Sequence, residues 1–231
     1  MIKVVVLTGA GISAESGLST FRDSGGLWEG YNIEDVASID AWYRNREVVL
    51  DFYNKRREQA LKAKPNEAHY SIAKLEEKFD VTVITQNVDD LHERSGSTEV
   101  MHLHGILRQA RSEKDESLII DIGGEPIKLG DKAPDGAQLR PNIVWFGEPV
   151  PMIEAAAQKV AEAEIFIVVG TSLVVYPAAG LVDFTKPEIS KYIVDPSTPE
   201  LYSFNNWIHI KEKAVKGVPS LTKKILENQN G

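Results

Sequence analysis

The chain has 231 residues, 42% of them hydrophobic and 26% charged, which suits one large folded domain, or a domain with a smaller lobe, and makes disorder no default anywhere. A formal net charge of -8 argues against sequence-independent nucleic-acid binding. No apolar run nears the roughly 20 residues of a membrane span, and the absence of cysteine excludes disulfides, a thiol nucleophile and thiolate metal sites. Met1-Ile2-Lys3 leads straight into a strand with no leader-like pattern, so the expectation is a cytoplasmic protein with no membrane partner, a monomer by default.

Residues 4–7 read as a buried strand that breaks into Thr8-Gly9-Ala10-Gly11-Ile12-Ser13 before helix-compatible residues resume. A strand opening into glycines one residue apart is how an α/β sheet presents bare backbone N–H groups to a phosphate. Ala14 stands where the dinucleotide fingerprint has its third glycine, which that pattern permits; the competing reading is a tight turn that binds nothing. Residues 17–28 are rich in glycine and small polar side chains yet carry Phe21, Arg22 and Trp28, the makings of a lid with a cation for phosphate and aromatics to exclude water.

Residues 46–63 predict a helix on which Tyr53 and Arg56, three apart, share a face. A second helix is expected over 67–78, with Ala68, Ile72 and Leu75 as its apolar stripe, and then a strand over 81–84; this alternation implies a parallel sheet. The strand ends in Thr85-Gln86-Asn87-Val88-Asp89-Asp90-Leu91-His92, and open α/β sheets bind ligands beyond the carboxyl ends of their strands. Amides and carboxylates there suit ribose hydroxyls or a carboxamide, while a helix cap is the competing reading for Asp90.

In Val100-Met101-His102-Leu103-His104-Gly105 the two histidines point to one side of an extended segment. Two readings compete: a metal pair helped by Asp89, Asp90 or His92, and a single catalytic base beside an unrelated neighbour. His69 and His209 stand without polar company in the sequence and read as structural. Residues 107–139 look like a small inserted lobe of short strands, and 140–148 like a return to the core along a run with a free edge for an extended peptide. A helix over 152–162, a strand over 165–169 ending in Gly170-Thr171-Ser172, a strand ending at Asp195, a last strand over 207–210 and a closing helix over 218–226 complete the pattern.

Gly9-Ala10-Gly11-Ile12-Ser13, Phe21-Arg22, Thr85-Gln86-Asn87-Val88-Asp89, His104-Gly105, Val144-Trp145-Phe146-Gly147-Glu148 and Gly170-Thr171-Ser172 occur in the order and spacing of the sirtuins, the NAD-dependent protein lysine deacylases, which the chain resembles over nearly its whole length. The resemblance implies an α/β fold, a Rossmann-like parallel sheet with helices on both faces formed by 1–32 with 80–106 and 143–231. A small lobe would come from two insertions, 33–79 and 107–142. It implies NAD as cofactor and acylated-lysine proteins or peptides as partners. Ala10, Arg22, Gln86, Ser172 and Asp195 would hold phosphates and riboses, and Asn87 and Asp89 the nicotinamide region. Gly9, Gly11, Ser13, Phe21, Gly170, Thr171 and Ala214 complete the implied cofactor set. His104 matches the catalytic histidine, with Asn87 beside it; His102 matches nothing in the family pattern.

Phe52-Tyr53-Asn54-Lys55-Arg56 is similar to the tyrosine and arginine pair of the branch that removes succinyl and malonyl groups, and a guanidinium with a hydroxyl suits an acyl chain ending in a carboxylate. Val144, Trp145, Phe146 and Gly147 would line the path of the lysine. One departure is plain: sirtuins usually carry zinc-binding cysteines in the small lobe, and here Ser112 follows Ala110-Arg111 where the first is expected, so no metal is predicted. The lobe is then expected to hold by burial of Leu118, Ile119, Ile120 and Ile127. A metal-dependent hydrolase built on His102 and His104 and a non-catalytic ADP-ribose-binding module are the alternatives.

Overall fold

The computed structural model describes residues 1–20, 27–28, 30–201 and 206–228. In chain order it forms β1 (Lys3–Thr8), a short ribbon of β2 (Leu27–Trp28) and β3 (Tyr31–Asn32), then α1 (Ile33–Val36), α2 (Ile39–Arg44), α3 (Arg46–Lys62) and α4 (Glu67–Lys74). There follow β4 (Asp80–Thr85), α5 (Leu91–Arg94), β5 (Val100–His102), β6 (Gly105–Ser112), β7 (Ile119–Asp121) and β8 (Leu139–Ile143). The chain closes through α6 (Ile153–Glu162), β9 (Ile165–Val169), β10 (Ser190–Val194), β11 (Trp207–Ile210) and α7 (Ala214–Asn228).

The main sheet has six parallel strands in the order β11-β10-β9-β1-β4-β5. β1 lies near its centre, which is why Val4, Val5, Val6 and Leu7 are apolar without a break: both faces of the strand are covered. The period of two sorts them, Val4 and Val6 packing with α4 and α7, Val5 and Leu7 with α6 and the turn 178–184. From β1 the chain builds outward first to β4 and β5 and later to β9, β10 and β11, so the strand order reverses at β1. The carboxyl ends of β1, β4 and β9 therefore open onto one crevice.

Two helix boundaries differ from expectation. The helix expected over 67–78 stops at Lys74 and tightens into a 3₁₀ turn, Leu75–Glu77, while the closing helix starts four residues early at Ala214, with Pro219 inside it. Its start is masked in the sequence by Gly217 and Pro219, which read as punctuation.

Residues 140–148 do not rejoin the main sheet. β8 pairs antiparallel with β6, β6 pairs with β7, and this three-stranded sheet packs on α2 and α3 around Trp42, Phe52, Tyr53, Leu107, Ile127 and Trp145. Nor is the expected edge free: Phe146 N–H donates to the Ala37 carbonyl at 2.9 Å and its carbonyl accepts from Ile39 N–H at 3.1 Å.

The apolar staple expected of this lobe is only partly there. Ile127 is buried, but Ile119 is 49% exposed and Leu118 and Ile120 are half-buried. A polar knot does the holding. The buried Ser112 hydroxyl donates to Asp135 Oδ2 at 2.6 Å and accepts from the amides of Lys114 (3.1 Å) and Asp115 (3.3 Å). Asp135 Oδ1 in turn accepts from Ala137 N–H at 3.0 Å. Gln138, also buried, accepts from Gly130 N–H at 2.7 Å and donates to the carbonyls of Lys128 and Leu139, both at 2.9 Å. A hydroxyl and an amide thus tie together loops that would otherwise leave backbone groups unsatisfied. A chelator is expected to leave the melting temperature unchanged. Ser112→Ala, which strands two amides, is expected to cost about 1–2 kcal/mol in denaturant unfolding; melting in the presence of excess EDTA, with the variant alongside, checks both.

Candidate active site

The turn after β1 meets the turn after β9 backbone to backbone. A Cβ placed on Gly11 would stand 2.7 Å from Gly170 Cα, and one on Gly9 would stand 2.8 Å from the Gly170 carbonyl oxygen. Gly170 itself has φ +62°, and a Cβ there would stand 2.5 Å from Ile12 N. These glycines are needed because the two turns leave no room for side chains. The expectation that their amides face a phosphate is corrected by the same contact: Gly9 N–H donates to the Val169 carbonyl at 3.0 Å and Gly11 N–H to the Gly170 carbonyl at 2.9 Å. Ile12 and Ser13 N–H bond back to Gly9 and Ala10 within the turn. Among the described residues none accepts from the half-buried amide of Ala10.

Asn66 anchors this turn to α4. It caps the helix through Ala68 N–H (3.0 Å) and donates to the Ile12 carbonyl (2.8 Å) and the Ser16 hydroxyl (2.9 Å). Ser13, so held, enters a buried polar cluster, donating to Asp89 Oδ2 at 3.1 Å and accepting from Asn87 Nδ2 at 3.2 Å. Burial pushes the Asp89 carboxyl up, against the opposing bonds from Leu91 N–H and Ser13. The Leu91 bond also shows that Asp89, not Asp90, turns back to the start of α5; Asp90 pairs with Arg94 and Arg108.

Behind the cluster lie two buried histidines, His69 and His92, held by neutral groups. His69 Nε2 is 3.5 Å from Ser13 Oγ and its Nδ1 accepts from Asn66 N–H at 3.3 Å; His92 Nε2 is 3.0 Å from the Thr8 hydroxyl, and the two rings meet edge to face at 4.9 Å. The reading of His69 and His209 as lacking polar company is therefore corrected, since His209 Nε2 likewise lies 2.9 Å from the Asp195 carbonyl oxygen. These partners are distant in sequence, and no local pattern announces them.

His104 lies in the two-residue link between β5 and β6, after Leu103. Its Nδ1 lies 3.0 Å from the Gln86 carbonyl oxygen, an acceptor, which puts the proton on Nδ1 and the lone pair on Nε2; among the described residues Nε2 has no hydrogen-bond partner. Burial pulls its pKa below the ordinary value, the Gln86 bond only partly opposing, so the ring is neutral at neutral pH. Gly105 after it has φ +84°, and a Cβ there would stand 1.9 Å from the Asn142 carbonyl oxygen, so only glycine lets β8 come alongside. Gln86 Nε2 reaches across to the Thr171 hydroxyl at 3.1 Å, and Thr171 Oγ1 also takes Leu173 N–H at 3.2 Å, holding Leu173 at φ +57°. The half-buried Ser172 accepts from Glu200 N–H through its carbonyl, and Asp195, buried beyond β10, accepts from Ser197 N–H at 2.8 Å. Ala214 is buried where α7 begins. Phe21 and Arg22 lie outside the described residues.

Tyr53 and Arg56 are both buried on the inner face of α3, and burial drives the Tyr53 phenol up, so it stays a hydroxyl donor. Arg57, which the sequence reading passed over, pins this helix to β6: Nε donates to the Leu107 carbonyl at 2.6 Å and Nη1 to Asn54 Oδ1 at 2.8 Å. Trp145 is buried under the Arg140 guanidinium, 3.5 Å from its ring centroid, and 6.0 Å from the Tyr53 ring. Val144 N–H donates to the His104 carbonyl at 3.0 Å, Phe146 is 49% exposed, and Gly147 turns at φ +90° against Ile39. His102 Nδ1 lies 3.0 Å from the Asn87 carbonyl oxygen and its Nε2 2.7 Å from Glu93, so the two histidines do not converge on a shared ligand position. Among the described residues no group of three or more His, Asp or Glu could hold a metal ion.

Residues 9–177 match the profile of the Sir2 family. The chain belongs to that family. It is 49% identical over 227 residues to the NAD-dependent protein deacylase of Helicobacter pylori, covering 98% of this chain and 97% of the relative. It is 50% identical over 227 residues to that of Bacteroides thetaiotaomicron, covering 96% and 97%. A solved Sir2 homolog–NAD complex superposes with a TM-score of 0.88 at 37% identity, over 98% of this chain and 90% of the other. As in other Sir2 structures, the parallel sheet is flanked by helices on both faces. The chain lacks the sulfur ligands of a structural zinc.

The buried histidines give this Sir2 chain a defined acid sensitivity. Burial lowers His69 to about 4, against about 6.5 unfolded, and His92 moves the same way. Protons then bind the unfolded chain more readily, so stability falls as pH drops from about 6.5 towards about 4, by up to roughly 3 kcal/mol for His69. Urea midpoints at pH 7 and pH 5 measure the slope, which His69→Gln should flatten.

Proposed function

We propose that this chain is an NAD-dependent protein lysine deacylase, transferring acyl groups from protein lysines and releasing nicotinamide and O-acyl-ADP-ribose. The observation that carries it is His104, neutral and fixed by the Gln86 carbonyl with Nε2 unspent, beside the Ser13, Asn87 and Asp89 cluster. The residues suit the dinucleotide. The Ala10 amide is unspent beside a turn closed to side chains, and buried amide, hydroxyl and carboxylate groups line the crevice between β1, β4 and β9. Ala10, Gln86, Ser172 and Asp195, with Arg22 and Phe21, hold phosphates and riboses in this reading; Asn87, Ser13 and Asp89 hold the nicotinamide end, and Gly9, Gly11, Gly170, Thr171 and Ala214 shape the cradle.

When bound, NAD supplies a ribose carbon that becomes open to attack as nicotinamide departs. The chain's part is positioning and one proton. Nδ1–H of His104, spent on Gln86, fixes the ring, and Nε2 would accept a proton from a ribose hydroxyl, leaving that oxygen free to attack. Asn87 Nδ2–H donates to Ser13, whose hydroxyl donates to Asp89, so one group locks the next. Val144, Trp145, Phe146 and Gly147 guide the lysine, with main-chain pairing to the peptide placed away from Phe146, whose groups are taken. Tyr53 and Arg56 meet an acyl carboxylate, which favours succinyl and malonyl groups over acetyl. In this reading 33–79 and 107–142 form the small lobe, except that α4 and the turn after it pack on the main sheet with Val4 and Val6, and the enzyme acts in the cytoplasm, where NAD and acylated proteins meet.

His104→Ala should abolish turnover while NAD still binds, and the acidic limb of the wild-type pH profile should lie below about 6.5, the direction burial imposes. Release of nicotinamide and free lysine from acyl-peptides, with and without NAD, is the assay; free lysine appearing equally without NAD sinks the reading. In the same assay Arg56→Met should cost desuccinylation at least about tenfold, the scale of one charged hydrogen bond, and deacetylation far less. Equal losses on both peptides would remove Arg56 from the acyl site.

A further inference from the structure

His102 has no role in the reading above, yet its surroundings are specific. Its side chain is only 6% exposed, at the end of the edge strand β5, with Nδ1 on the Asn87 carbonyl oxygen at 3.0 Å and Nε2 on Glu93 Oε1 at 2.7 Å. His104, two residues on, holds the preceding carbonyl, that of Gln86, at 3.0 Å. Successive carbonyls of the segment that carries Gln86 and Asn87 are thus gripped by two histidines standing one residue apart.

The grips differ in charge. His104 touches one acceptor and needs one ring proton. His102 touches two, a carbonyl and a carboxylate, neither of which can donate. A neutral imidazole has one N–H and one lone pair, so it can serve only one of them and would point its lone pair at the other. Only the imidazolium satisfies both. We propose that His102, doubly protonated between Asn87 and Glu93, is a positioning residue that fixes Asn87 for the deacylation reaction. The inference rests on the placement of Asn87 at the nicotinamide end.

The charged and titratable groups around His102 agree. Glu93 faces it from α5, Asp89 from the segment after β4, and the buried neutral His92 from α5, while Arg108 on β6 acts on Glu93. Burial works against the imidazolium, but Glu93, the Asn87 carbonyl and Asp89 together hold its pKa above the ordinary value. Loss of the proton on the alkaline side would free the Asn87 carbonyl or the Glu93 carboxylate, and the alkaline limb of activity would follow.

Imidazole nitrogen NMR of the whole chain without NAD reads the charge directly. His102, assigned by the signal that His102→Gln removes, should carry both ring protons at pH 7, and Glu93→Gln should lower its midpoint by about one unit, as loss of a charged partner does. In steady state His102→Gln should lower kcat about tenfold with KM for the acyl-peptide little changed, and Glu93→Gln should bring the alkaline limb down while the His104 limb stays. A wild type with NAD-dependent activity whose His102 lacks one ring proton at pH 7, or an alkaline limb indifferent to Glu93→Gln, overturns the inference alone. Absence of any NAD-dependent turnover in the wild type overturns the functional reading and this inference with it.

Discussion

The site depends on one close approach, the backbone of Gly11 against that of Gly170. Two parallel strands that are neighbours in the sheet, β1 and β9, can bring their following turns together only if neither carries a side chain at the contact. Once they touch, the carbonyls of Val169 and Gly170 take the amides of Gly9 and Gly11, and Ile12 and Ser13 are carried to fixed places, Ile12 into the core and Ser13 into the polar cluster with Asn87 and Asp89. A hydroxyl placed so cannot wander, because its donor and its acceptor are both committed. The glycines build the crevice more than they line it.

Much of this was legible in the sequence, and the reasons differ by element. The central strands announce themselves as unbroken apolar runs because both faces are covered, and the parallel sheet follows from strands alternating with helices. His104 and the Gln86 to Asp89 segment could be singled out because polar residues crowd a strand end. What stayed hidden were long-range partners. The amides of Gly9 and Gly11 look available until the turn after β9 arrives, and β8 looks like a core strand until β6 claims it. Isolated histidines look alike on paper, while in the fold His69 and His92 share a buried network and His102 meets a carboxylate nine residues away. Periodicity reports which face is covered, not by what.

The second sheet shows how a fold can keep its shape with different chemistry. Ser112 and Gln138 gather loop amides and carbonyls that no regular strand pairing would satisfy, and Ile127, Leu107 and Trp145 close the apolar side. Its connection to the crevice is direct: Arg57 fastens α3 to β6, and on that same helix stand Tyr53 and Arg56. A buried guanidinium bonded to a main-chain carbonyl sets the helix's height against the strand, and thereby the depth of whatever its neighbours meet.

A lobe tied by hydroxyl and amide groups has no sulfur to lose. Peroxide and electrophiles attack thiolates first, and a cluster of them around a metal is a single point of failure, since one oxidised ligand releases the ion. Here the sulfur atoms are those of three methionines, two of them exposed at Met1 and Met152, away from the knot. The second sheet is thereby uncoupled from thiol oxidation in its surroundings.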